Sequence, residues 1–406
     1  MAPSPLLPVA DALVRVLASA PQPLPAETVT LANANGRTLA ADLAARRTQP
    51  PFPASAMDGF AVRAADVARV PATLKVIGTS AAGHGFTGSL GAGEAVRIFT
   101  GAPVPSGADT VFIQENTTYS DTTVTVVQTE ALGRNVRRAG LDFSEGDVLL
   151  PKGRLLGPGE LALIGAMNHG SVSVTRRPRV ALLATGDELV SPGQEPRPDQ
   201  IVASNTFAVA AYAQAAGAEV IDLGIAGDTF VALEAGIRAA REAQADILVT
   251  LGGASVGDHD LVQTALTREG MELGFWKIAM RPGKPLMHGH LGQMRILGLP
   301  GNPVSAIVCA VLFLVPLVRA LSGDPEAGRD RSLPATLGCD LNANDSRQDY
   351  LRSTLVEGTD GLPVATPFGR QDSSMLRVLA ASHGLVIRDP FAPEVKAGER
   401  CRIIRL

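Results

Sequence analysis

Between Asp246 and Asn302, three apolar runs each stop in a turn built from glycine and proline. Ile247-Leu248-Val249-Thr250 runs into Gly252-Gly253 and then Ser255-Val256-Gly257, with a helix predicted to open at Asp258 or Asp260. Arg281-Pro282-Gly283-Lys284-Pro285 puts two cations on a stiff loop, and Leu299-Pro300-Gly301-Asn302-Pro303 ends another strand and starts a helix. Glycine lets backbone approach a ligand closely, and a helix start offers free N–H groups to an anion. The pattern predicts a pocket at the carboxyl edge of an open α/β sheet. The glycine run alone reads equally as an ordinary strand-to-helix turn or as a phosphate site. It is not a P-loop, because no Gly-Lys-Ser/Thr follows.

The 406 residues carry a net charge of −4, which gives no basic footprint for nucleic acid, so an anionic ligand must be held by local cations. Three isolated cysteines (Cys309, Cys339 and Cys401) lack zinc or disulfide spacing, which points to buried thiols and a cytoplasmic location. The first twenty or so residues lack the basic start and apolar core of a signal peptide. Val304–Val318 is the most apolar stretch, but it is short for a bilayer and contains Pro316. With Asn302 as cap and Pro303 at the first helical position, it reads as a buried helix, and no membrane role is expected.

The flanking chain divides around this centre. An amphipathic helix is expected near Val9, and a β-rich segment from Lys75 to Thr129 reads as a compact inserted domain. Asp58-Gly59 is read as a turn before an alternating strand from Phe60 to Val62, and Thr100-Gly101 as a tight turn after a strand. A second strand–helix alternation begins at Arg179, with strands at Val180–Ala184 and Glu219–Gly224 and with Asp228 capping a helix. The expected result is a parallel, three-layer sheet with Thr185, Glu188, Asp228, Asp258 and Asp260 at strand ends. Short strands after Leu321–Arg331 predict a small C-terminal β-barrel. Arg352 lies on one of them, where an isolated arginine is expected to face solvent.

The chemistry of the centre follows from its charges. Glu188, Asp228, Asp258 and Asp260 would repel a phosphorylated ligand unless a hard cation intervened. Magnesium takes one or two carboxylates together with phosphate oxygens, so Glu188, Asp228 and Asp260 are the expected shell. Lys277, placed on an alternating strand, Arg281 and Lys284 would neutralise the rest. The alternative is a set of surface salt bridges. His288 and His290 have no third ligand and are read as incidental.

GGASVGDHD, RPGKP and LPGNPVSA, with PFPASAMDGFAV, the string from Arg97 to Pro105 and the GLDF at 140–143, closely resemble the molybdopterin molybdenumtransferases (the MoeA family, which includes the gephyrin E domain). The resemblance runs from about Pro50 to the C-terminus. It implies a multidomain α/β plus β fold: a discontinuous elongated domain over 1–46 and 141–176, and an inserted β-rich domain over 47–140. An α/β molybdopterin-binding domain over 177–324 and a β-barrel over 325–406 complete it. It implies a transferase of molybdenum cofactor biosynthesis, with molybdopterin adenylate and molybdate as substrates and magnesium-dependent release of AMP. Implied catalytic residues are Asp58, Thr100, Asp142, Glu188, Asp228, Asp260, Lys277 and Arg281. Implied substrate contacts are Thr185, Gly252, Gly253, Ser255, Gly257, Asp258, Lys284, Pro300, Gly301, Asn302, Pro303, Ser305, Arg352 and Ser373, with Glu115 and the basic Arg137-Arg138 as lesser candidates.

The resemblance also implies a homodimer whose sites are shared between subunits, with contacts to a molybdopterin adenylyltransferase and to apo molybdoenzymes. The competing expectations are a scaffold of the gephyrin E-domain type and an adenylyltransferase acting one step earlier. Three departures from the family pattern stand out. Arg281 replaces a frequent lysine, Leu251 stands where a small hydroxyl residue is common, and Phe60 replaces a tyrosine.

Overall fold

The computed structural model describes residues 6–252 and 261–406. The central sheet has six strands in the order Glu219–Ala226, Arg179–Thr185, Ile247–Leu251, Met294–Leu299, Met287–Leu291, Glu272–Trp276. The first four run parallel, as their register shows. Met287–Leu291 runs against both of its neighbours, so the sheet is mixed rather than wholly parallel as expected. The reason is local: Gly292, at φ 61°, turns Met287–Leu291 straight back into Met294–Leu299, and so short a turn joins only antiparallel strands.

Helices cover both faces and give three layers. One face packs Asn205–Ala215 and the helical run Pro303–Leu321 onto the sheet through Val209, Val308, Phe313 and Leu317. The other packs Phe230–Glu242 and Leu261–Arg268 through Leu233, Ile237 and Leu266. The first face also holds the helix Val9–Ala18, whose Val9, Ala12 and Val16 share that core. That helix therefore packs with the α/β layer, although a boundary at 46 groups it with the elongated strands. Pro303–Leu321 is apolar over 19 residues, and its burial inside this core accounts for that composition. Pro316 has no N–H to give the preceding turn, and the helix widens to a π-helical turn over Ala310–Leu314 just before it.

Ala26–Thr30 pairs antiparallel with Ser171–Thr175, and Leu43–Ala44 with Val148–Leu150, which brings together two distant parts of the chain. Helix Pro158–Ala166 adds Ile164 to their core. Between these halves lies a second six-stranded sheet: Thr110–Ile113, Gly59–Val62, Glu94–Ile98, Ala72–Ser80, Thr123–Val126, Thr117–Tyr119. Here Gly59–Val62 is buried at every residue, not alternately as expected. Phe60 and Val62 pack on one face with Phe112 and Leu74, and Ala61 on the other with Ile98 and Val111, so both faces are covered.

The C-terminal strands close into a five-stranded barrel, because Gln348–Glu357 pairs with both Pro363–Pro367 and Gly384–Arg388. Met280–Arg281 leaves the α/β domain to pair with that barrel at Gln348 and Asp349. The two domains thus share a backbone ladder beside the pocket described next.

Candidate functional site

The parallel strands Arg179–Thr185, Ile247–Leu251 and Met294–Leu299 all end at one cavity of about 600 Å³. Thr185, Glu188, Gly252, Pro300, Gly301, Asn302 and Pro303 line it, together with Pro285 from the loop after Arg281. Gly252 sits at φ 109°, and a Cβ there would come within 2.5 Å of the Thr185 carbonyl oxygen. Only glycine lets these two strand ends close on each other. The buried Thr185 hydroxyl has no hydrogen-bond partner among the described residues. Gly253, Ser255, Gly257, Asp258 and Asp260, all expected here, lie outside the described residues.

Helix starts frame the cavity differently from the sequence expectation. Asn302 is the N-cap of Pro303–Cys309 but makes no side-chain capping bond. Ser204 is the N-cap of Asn205–Ala215, and Asn205 instead donates from Nδ2 to the Gly301 carbonyl at 2.7 Å. That bond ties two lining turns together. Asn205, Ser204, Ile201 and Val202 all line the cavity and were not foreseen as site residues. Their only sequence signal was a helix-cap pattern.

The carboxylates gather at one side. Asp228 does not cap the following helix; Thr229 does, its hydroxyl accepting from Ala232 N at 3.2 Å. One residue's shift releases the Asp228 carboxylate from capping, and its Oδ2 accepts instead from Asp187 N at 3.5 Å. Asp228 N donates to Asp187 Oδ1 at 3.0 Å, so Asp187, which follows Thr185-Gly186, is an unforeseen neighbour. Glu188 and Asp228 are both exposed, at the ends of adjacent parallel strands. The described residues contain no group of three or more metal-binding side chains. The third expected oxygen ligand, Asp260, is outside them. His288 is buried with Nδ1 3.1 Å from the Ile296 carbonyl, while His290 pairs with Glu272 at the sheet edge, so the two do not act as a metal pair.

The cations are arranged less simply. Lys277 lies beyond the end of Glu272–Trp276, at φ 69°, with Nζ 3.8 Å from the centre of the Trp276 ring, not on an alternating strand. Arg281 turns to the barrel: its guanidinium bonds Asp345 at 3.2 Å and Asn344 at 3.3 Å, and also Asp349. Asp349 is 4 % exposed, and burial holds its carboxyl above the usual range while Arg281 pulls the other way. Arg281 thus fastens the barrel to the α/β domain. Because Arg281 is half-exposed, removing its partner has a moderate cost. Asp349→Ala should lower stability by about 1–2 kcal/mol in urea unfolding.

Arg352 does not face solvent. It is 1 % exposed, bonded to Gln371 Oε1 at 3.2 Å and to the Met375 carbonyl at 3.4 Å, and its Nη2 has no partner among the described residues. The same 371–375 loop reaches the cavity through Ser374, and Ser373 accepts from Val304 N at 3.0 Å at the helix start. Ser305 is buried one residue further on, and Lys284 is half-buried beside Pro285.

Asp58 and Thr100 meet on the inserted sheet. Asp58 Oδ1 accepts from Thr100 N at 2.7 Å and from Thr100 Oγ1 at 2.8 Å. Those two bonds, the backbone one first, hold its carboxyl below the usual range, with a further pull from Arg97. No residue of this domain lines the cavity among the described residues. Asp142 is exposed on its own loop, its N–H bonded to the Gln49 carbonyl at 3.0 Å. Arg137 and Arg138 are exposed, and Glu115 accepts from Gln114 Nε2 at 3.4 Å.

Three family profiles match the chain in order: MoeA N-terminal region (domain I and II) over 7–167, probable molybdopterin binding domain over 181–320, and MoeA C-terminal region (domain IV) over 334–406. A molybdopterin molybdenumtransferase of Haemophilus influenzae is 35% identical over 98% of this chain and 98% of its own. One from Nostoc sp. is 36% identical over 94% of this chain and 88% of its own. The crystal structure of molybdopterin biosynthesis moeA protein from Pyrococcus horikoshii OT3 superposes with a TM-score of 0.84 at 26% identity, covering 99% of this chain and 100% of that one. A cavity at the carboxyl edge of a molybdopterin-binding domain, flanked by MoeA-type regions along the whole chain, places it: the chain belongs to the MoeA family of molybdopterin molybdenumtransferases.

Proposed function

We propose that this transferase of molybdenum cofactor biosynthesis inserts molybdenum from molybdate into molybdopterin adenylate, with magnesium-dependent release of AMP. The observation that carries the reading is the cavity itself: Glu188 and Thr185 at one strand end, Gly252 at the next and Pro300–Pro303 at the third. Oxygen donors dominate the exposed polar groups there, and the three cysteines stand apart as free thiols, which suits a hard divalent cation. Free thiols also fit a cytoplasmic enzyme.

Glu188 and Asp228 would hold magnesium, with Asp260 completing the set. Magnesium, when bound, supplies charge neutralisation at the phosphate oxygens as the pyrophosphate bond breaks. The chain's own groups bind and orient. Arg352, buried and bonded to Gln371 and to the Met375 carbonyl, holds the loop that brings Ser374 to the cavity, and Ser305, Ser373 and Lys284 are the proposed oxyanion contacts. The closely approaching backbone at Gly252 and Gly301 admits the nucleotide. Arg281, bonded to three side chains of the barrel, serves this arrangement by fixing the domain edge.

Asp58 and Thr100 belong to the site of a second subunit in this reading. Their own cavity receives nothing from the inserted domain among the described residues, while Phe52, Met57 and Phe99 stand exposed around them. The test is complementation. Asp58→Asn and Glu188→Gln chains should each be inactive alone, and mixed after mild dissociation they should regain roughly a quarter of wild-type activity as one intact site per heterodimer forms. A mixture as inactive as its parts would overturn the shared site. Raising magnesium should partly rescue Asp228→Asn, because losing one ligand weakens the ion without removing it.

A further inference from the structure

Arg97, on strand Glu94–Ile98, lies opposite Phe60 in the sheet register and makes no ion pair with a carboxylate among the described residues. Its guanidinium carbon is instead 4.9 Å from the Phe60 ring centre, 5.2 Å from that of Phe99 and 5.1 Å from that of Tyr119. Three rings around one cation hold it by cation–π attraction and exclude most of its alternative rotamers. Two of its donors bridge two segments, the strand Gly59–Val62 and the turn Gln114–Asn116. Nη2 donates to Gln114 Oε1 at 2.5 Å, and Nη1 to the Gly59 carbonyl at 3.4 Å. Gln114 in turn donates from its backbone N–H to the Asp58 carbonyl at 3.1 Å.

Three contacts around Asp58 lead back to this side chain, beside the two direct bonds from Thr100. The residue after Asp58 is held through Gly59, its carbonyl through Gln114, and the residue before Thr100 through the Phe99 ring. We propose that Arg97 is a positioning residue for Asp58, setting the aim of its carboxylate in the proposed transferase site. The inference rests on the assignment of Asp58 to that site.

Arg97 is the one charged group that pulls on Asp58, and its pull is the smallest influence, after the two Thr100 bonds and after a desolvation that acts the other way. Glu115, on the neighbouring turn, is engaged by Gln114 Nε2, and the Tyr119 phenol stacks with Phe60 at 5.2 Å between ring centres. A lysine at position 97 keeps the charge but cannot hold Gln114 and Gly59 at once while stacking on three rings.

The test compares Arg97→Gln, Arg97→Lys and Asp58→Asn, each as the full chain, by steady-state AMP release across pH. Arg97→Gln should lower kcat by about 10- to 100-fold with KM little changed, the usual scale for a catalytic group displaced by a fraction of an ångström to one ångström. Its acid limb should move to higher pH. Arg97→Lys should recover the position of the limb and only part of kcat. In an Asp58→Asn background, Arg97→Gln should add nothing, because both changes act through one carboxylate. Wild-type kcat in Arg97→Gln, or an unchanged limb with reduced thermal stability, would overturn the positioning role, as would a full additive loss in the Asp58→Asn background. Full activity of Asp58→Asn alone would instead refute the assignment of Asp58, so the two failures are separable.

Discussion

Asp58→Asn is expected to reduce molybdate-dependent AMP release by about 10²–10⁴-fold, the range for removing a positioned acid–base group, while leaving the unfolding midpoint almost unchanged. The stability half of this expectation follows from exposure. The Asp58 carboxylate lies at the surface and its two bonds come from Thr100 alone, so an amide oxygen can accept both. The activity half follows from charge, since the amide can neither ionise nor hold a proton. Thr100→Val separates the two bonds further. It removes the hydroxyl donor and keeps the backbone N–H, which is the larger cause of the lowered Asp58 pKa. A carboxylate held below its usual range stays ionised as pH falls, so losing part of that hold moves the acid limb of the rate profile to higher pH. The expected loss at neutral pH is correspondingly small. An Asp58→Asn enzyme at wild-type rate would remove the inserted domain from the chemistry.

The largest stability effect is expected one residue later. A Cβ on Gly59 would stand 1.8 Å from the Phe112 carbonyl oxygen and 2.8 Å from its carbon. These are backbone atoms of the adjacent strand, and Gly59 is paired with Ile113 on that side and with Ile98 on the other. Neither neighbour can step aside without breaking a ladder. Gly59→Ala should therefore cost at least about 3 kcal/mol, at or beyond the upper end of ordinary overpacking, and should be seen as early unfolding of the inserted sheet in urea. Gly101→Ala is the matched control. Gly101 sits at φ 80° with nothing within 4 Å of a built Cβ, so it meets only conformational strain of about 1 kcal/mol. Equal stabilities of the two variants would show that the close approach at Gly59 is relieved in solution.

The pocket was legible where glycine and proline punctuate apolar runs. Such turns have few conformations, and strand ends in open α/β sheets gather on one edge, so Thr185, Glu188, Gly252 and Pro300–Pro303 could be read from order alone. The helical run Pro303–Leu321 was legible for the same reason, opening on a proline. What escaped depends on tertiary neighbours. Nothing in Tyr350-Leu351-Arg352 distinguishes an arginine facing water from one enclosed by Gln371 and the Met375 carbonyl. Asp228 and Thr229 are both good N-caps, and a single residue decides whether the Asp228 carboxylate caps the helix. Lys277 falls just after its strand, so period-two reasoning gave it a face that it does not have. The ring cage of Arg97 joins residues 60, 99 and 119, and no local pattern connects them. Gly292-Gln293 between two apolar runs is a hairpin signal, and it alone specifies the antiparallel pair that makes the sheet mixed.

Phe60 shows how a departure from the family pattern can be absorbed. Its ring is buried and packs under the Arg97 guanidinium, a contact that needs a π face and no hydroxyl. Leu251 is shared between the apolar core and the cavity wall, so this departure changes the lining of the pocket itself. Arg281 differs in kind, since its planar fork serves Asp345, Asn344 and Asp349 together, a geometry that a lysine ammonium does not reproduce.

The most direct test is AMP release by the purified chain given molybdopterin adenylate and magnesium, with and without molybdate. The account predicts release that requires both magnesium and molybdate, accompanied by activation of an apo molybdoenzyme added to the mixture. Tight binding of molybdopterin adenylate with no AMP released under any combination would contradict it, because the carboxylates at the strand ends would then hold the ligand without turning it over.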